Sequence, residues 1–143
     1  MENKIKTLSV FWWFIDYGVF GKFTYFLIDF RDSLSTSFNV VAFDLDRYLL
    51  LKDPNFVKKG LEDFLNTDRE LRNVFYLKES KEQYDLINYY ALQENFKLVG
   101  RSEIELTPEI EKNLKEKLYI YFIRKGISEE KAIELVDKLF TIS

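Results

Sequence analysis

Asp44 and Asp46 sit two residues apart within the apolar run 40–50. If that run is a strand, its period of two places both carboxylates on one face, where a pair can divide nucleophilic and acid-base work or hold a divalent cation. Little else is available for such chemistry. The 143 residues include neither cysteine nor histidine, which removes thiolate nucleophiles, disulfides, zinc and haem ligation, and the usual general base. Asp, Glu, Lys, Arg, Tyr, Ser and Thr remain.

The string Val40-Val41-Ala42-Phe43-Asp44-Leu45-Asp46-Arg47-Tyr48-Leu49-Leu50 resembles the first motif of haloacid dehalogenase-like phosphatases, a buried strand ending in Asp-x-Asp. The resemblance implies a metal-dependent phosphohydrolase with a parallel sheet. Asp44 would attack phosphorus, Asp46 would act as acid and base, and magnesium would neutralise the phosphate. Arg47 and Tyr48 stand where that family has Gly-Thr, and no Gly-Asp-x-x-x-Asp pattern follows. The same spacing is what a strand with a solvated carboxylate face presents, and short matches of this kind arise often by accident. The family's activity is therefore not carried over. No catalytic residue and no cofactor is assigned, and Asp44 and Asp46 stand as the alternative metal-binding pair.

The other concentration of special residues is aromatic. Aromatic side chains make up 17% of the chain, and thirteen of them fall within the first fifty residues, among them Phe11, Trp12, Trp13 and Phe14. Consecutive strand residues point to opposite faces, so Trp12 and Trp13 do not share one buried layer. One is assigned to the core and the other to an interface, where Trp and Tyr are enriched. Tyr119 and Tyr121 lie about 200° apart on a helix, so at least one of them faces solvent or a partner. Trp12, Trp13, Tyr119 and Tyr121 are the candidate protein-binding residues.

Composition narrows the classes. Hydrophobic residues at 47% and charged residues at 31% describe a packed globule, and the length suits one α+β domain over residues 1–143. The formal charge is −3, with acids and bases interleaved, so no basic stripe exists for a phosphate backbone and direct nucleic-acid binding is not expected. Residues 8–28 approach the length of a membrane span. Asp16 near their centre costs about 2.5–3.5 kcal/mol against roughly −0.3 to −0.6 for each apolar residue. No span is expected, and the cytoplasm is the expected location.

Periodicity places these residues on elements. The runs 7–15 and 22–30 read as an aromatic-rich antiparallel β-hairpin, apolar on both faces and so covered on both sides. Further strands are expected at about 40–49 and 96–106, the latter interrupted near Gly100 by a bulge or turn. Four to five helices complete the chain. Asp53-Pro54 opens one bearing Val57, Leu61, Phe64 and Leu65; the capping-box spacings Thr67-Glu70 and Ser80-Gln83 suggest two more. Thr107-Pro108 opens a helix closed by Gly126. Ser128 caps the last, whose buried stripe is read as Ala132, Ile133, Val136, Leu139 and Phe140.

These readings favour a non-enzymatic protein-binding module with a protein partner. Small acidic proteins of this kind are common among inhibitors and among anti-defence proteins of phages and mobile elements. A metal-dependent phosphohydrolase and a membrane-associated or apolar-ligand-binding protein are the alternatives. Oligomeric state is not legible.

Overall fold

The computed structural model describes residues 5–16, 22–30, 38–45, 54–71, 73–76 and 96–141. In chain order these form β1 (Thr7–Asp16), β2 (Lys22–Asp29), β3 (Phe38–Leu45), α1 (Pro54–Leu65), β4 (Asn73–Tyr76), β5 (Phe96–Glu105), α2 (Pro108–Arg124) and α3 (Glu129–Leu139). The class is α+β. The strands make a five-stranded sheet in the order β4-β3-β2-β1-β5, and every described pairing is antiparallel. β3, which carries Asp44, thus lies in an antiparallel sheet and not in the parallel one that the phosphatase resemblance implies.

Alternation explains the central strands. Leu8, Val10 and Trp12 of β1 and Phe26 and Ile28 of β2 are buried, and together with Phe30 and Ile104 they join one apolar cluster with the helices. Their intervening neighbours Phe11 and Leu27 are opposite one another in the β1–β2 register. Both are also buried, yet neither belongs to that cluster. The centre of the sheet is therefore covered on both faces, as strands apolar on both sides require. Residues 17–21, which join β1 to β2, lie outside the described residues.

β5 pairs with β1 in two registers. Trp12 is opposite Gly100 and Trp13 is opposite Leu98, so Val99 is the extra residue of a bulge. The bulge adjoins Gly100 on an outer strand of the sheet, where bulges discourage further pairing.

α2 and α3 follow local rules closely. The Thr107 hydroxyl accepts the Ile110 N–H at 3.2 Å, with Pro108 in the first turn. The buried stripe is Ile110, Leu114, Leu118 and Phe122. At the other end Ile127 N–H donates to the Phe122 carbonyl and Gly126 N–H to that of Ile123, with Gly126 at φ 87°, which is a Schellman closure. The Ser128 hydroxyl then accepts Lys131 N–H at 3.3 Å to start α3.

Three helices occur among the described residues, against the four to five expected. No helix opens at Thr67. Its hydroxyl instead donates to the Phe64 carbonyl at 2.7 Å, closing α1, and the Lys117 ammonium donates to the carbonyls of Thr67 and Arg69. Those acceptors are the ones a first helical turn would have used. The chain goes on to β4 instead. The helix expected from Ser80 lies outside the described residues, as do positions 46–49 of the expected third strand. A second correction concerns α3, where Ala132, Val136, Leu139 and Phe140 are buried but Ile133 is 53% exposed.

Candidate protein-binding surface

The four-residue link 125–128 folds α3 back beside α2, and the far end of the pair is fixed by Lys115. Its ammonium lies 3.4 Å from Glu111, 3.9 Å from Asp137 and 5.2 Å from the centre of the Phe140 ring. The two helices are thus antiparallel, with positions 115 and 137 at one height. One helical turn nearer the link, Tyr119 on α2 and Ile133 on α3 come to matching heights. Ile123 follows one turn further along α2. Tyr119 and Ile123 are half-buried and pack against the core cluster. Together with Ile133 they give the seam an apolar outer strip.

The rim of this strip is charged. Ile133 has Glu129 and Glu130 at i−4 and i−3 and Asp137 at i+4, the positions that border a residue on a helix surface. All three carboxylates are exposed. Glu134, about 100° round the helix from Ile133, is held by Lys138 at 3.0 Å and Lys131 at 3.7 Å. The Lys138 hydrogen bond and both ammonium charges keep its carboxyl below the usual range.

On the other flank of α2 two clefts of about 440 and 250 Å³ share Leu65 and Asn113. Ile120, 42% exposed, lines the smaller one with Lys117 and Arg124. Lys117 lies 4.7 Å from the centre of the Phe64 ring. Burial lowers its pKa, against the opposing charges of Asp68 and Glu70. Its donors are engaged by the two backbone carbonyls, and Arg124 pairs with Glu70. This wall holds the segment after α1 in place.

The residues picked out from the sequence fall in different places. Trp12 is 3% exposed and belongs to the core cluster; its indole N–H is buried with no acceptor among the described residues. Trp13 is opposite Tyr25 and Leu98 in the register, and its side chain lies outside the described residues. Tyr121 is half-buried and its hydroxyl accepts the Val74 N–H at 3.3 Å, so it ties α2 to β4. Tyr119 alone of the four lies on the seam. Asp44 is opposite Tyr25 in the sheet, and Asp46 lies outside the described residues. Among the described residues no group of three or more His, Cys, Asp or Glu side chains could hold a metal ion. Ile133 was assigned to the core by its period; its acidic neighbours were the signal that it is not there.

The chain matches no family model, no curated protein and no solved structure. Among the described residues no helix is long and apolar enough to cross a membrane.

Proposed function

We propose that this chain is a non-enzymatic protein-binding module that docks a protein partner on the α2–α3 seam. The observation that carries the reading is the exposure of Ile133 in mid-helix, level with half-buried Tyr119 and inside a charged rim. Interfaces draw their affinity from a few aromatic and aliphatic anchors surrounded by polar groups that exclude water. A single exposed isoleucine would need no account. A tyrosine and two isoleucines in one strip, on a helix pair already capped at both starts, form a rigid surface that loses little freedom on binding.

An inhibitor or anti-defence role fits such a surface, since blocking another protein requires docking and no chemistry of its own. The test is capture of a stoichiometric partner from the native host by the tagged chain, followed by affinity measurement on variants. Ile133→Ser and Tyr119→Ala should each weaken the captured complex by at least ~2 kcal/mol, with Ile133→Ser leaving the melting temperature unchanged. A partner held equally well by both variants would place the interface elsewhere.

A further inference from the structure

We infer that the partner presents Lys or Arg side chains around the apolar contact that receives Ile133; the inference rests on the protein-binding reading above. The rim decides the sign. Glu129 and Glu130 border Ile133, whereas Glu116 on α2 lines the smaller cleft on the other flank with Lys117 and Ile120. Neither Glu129 nor Glu130 has a cation within 4.0 Å among the described residues, unlike Glu70, Glu111, Glu134 and Asp137. Lys112, two turns from Tyr119 toward the far end of α2, is exposed and in no ion pair among the described residues; the bases nearer Ile133 are engaged. Lys115 lies between Glu111 and Asp137, while Lys131 and Lys138 pair with Glu134.

Acids in the first turn also suit the positive end of the helix dipole, which accounts for Glu129 and Glu130 as helix formers. It does not account for the isoleucine between them and Asp137. A negative rim around an apolar centre complements a positive rim around an apolar recess, and complementarity of that kind sets partner choice and encounter rate. It also disfavours other occupants. A second copy packed by a two-fold axis would bring this rim against itself, at the cost of like-charge contacts. Phosphate backbones and anionic lipid surfaces carry the wrong sign.

The test uses the whole chain, isotope-labelled, titrated at low salt with two synthetic amphipathic helical peptides, one of Leu and Lys and one of Leu and Glu. The Leu/Lys peptide should shift the amides of Tyr119, Ile123 and residues 129–137, and the Leu/Glu peptide should not. Glu129→Gln with Glu130→Gln should weaken the Leu/Lys peptide about fivefold, as two exposed charge contacts would. Ile133→Ser should remove saturable binding. If the Leu/Glu peptide takes the same seam equally well, the inference about charge is overturned while the binding surface stands. If neither peptide moves these amides, or the shifts spread evenly over the acidic surface, both are overturned.

Discussion

Ile133 and Leu139 lie on the same helix, yet one is 53% exposed and the other fully buried. Leu139→Ala deletes methylenes from a packed core and should cost about 2–5 kcal/mol. Ile133→Ser should change stability by no more than about 0.5 kcal/mol. Chemical denaturation of both variants measures the contrast, and a large loss for Ile133→Ser would return that side chain to the core. The sequence stripe misplaced Ile133 because period alone does not set the width of a buried face. At about 100° per residue, position 133 falls at the edge of the wedge set by 132, 136, 139 and 140. Its neighbours at i−4, i−3 and i+4 are acidic, whereas those of Val136 are Ala132, Ile133, Leu139 and Phe140. Lys117 makes a separate prediction. Burial lowers its pKa from 10.5, so on raising pH the native state releases this proton before the unfolded state does. Between the lowered value and 10.5 the unfolded chain binds more protons, and this group's contribution to stability rises with pH. In Lys117→Met that rise should vanish when denaturation is compared across the alkaline range. An equal pH response in both chains would show that Lys117 is not desolvated.

At the scale of elements, sequence and structure agree where a signal is local and diverge where a distant residue supplies the partner. Ser128 and Thr67 both carry helix-start signals. Ser128 caps α3, whereas the Thr67 hydroxyl closes α1 and the following carbonyls bond to Lys117, fifty positions away. Nothing near Thr67 in the sequence announces that lysine. β4 was likewise illegible, since four residues are too few for alternation to register. It pairs with β3, and Tyr121 adds a bond from α2, its hydroxyl accepting the Val74 N–H. Tyr121→Phe keeps the ring and removes the acceptor, so it should cost about 1 kcal/mol and speed hydrogen exchange at Val74 above that of its neighbours. Unchanged exchange at Val74 would mean that the bond does not hold the strand. The α2–α3 link offers a matching test of local chemistry. Gly126 has φ 87° and nothing lies within 4 Å of where a Cβ would stand. Gly126→Ala meets no clash, only the left-handed backbone penalty of roughly 1–2 kcal/mol. A loss well beyond that in thermal denaturation would point to packing that the open space does not contain.

For the whole molecule, the first strand in the sequence is next to the last in the sheet. Ser9 of β1 bonds to Glu103 of β5 at 2.7 Å, ninety-four residues on, and Ile5 N–H donates to the Phe140 carbonyl at 3.1 Å. This closure across the chain was not legible: alternation reveals that a segment is a strand and not which strands lie beside it. The apolar character of both faces of 7–15 and 22–30 was legible, and burial of Trp12 with Phe26 on one side and Phe11 with Leu27 on the other follows from it. The helix-side core takes side chains from β1, β2, β4, β5 and all three described helices, so no described element has a core of its own. Unfolding should accordingly be all-or-none. Trp12 and Trp13 both lie on β1 and report the sheet, while far-UV circular dichroism reports the helices, so tryptophan fluorescence and ellipticity at 222 nm should give one midpoint in urea. Leu118→Ala, which opens a cavity on α2 at a fully buried position, should move both midpoints together, by the equivalent of about 2–5 kcal/mol. If ellipticity were lost at higher urea than fluorescence, the α2–α3 pair would be a cooperative unit separate from the sheet. The binding seam would then rest on a scaffold that survives without β1, and the single shared core would be the wrong description.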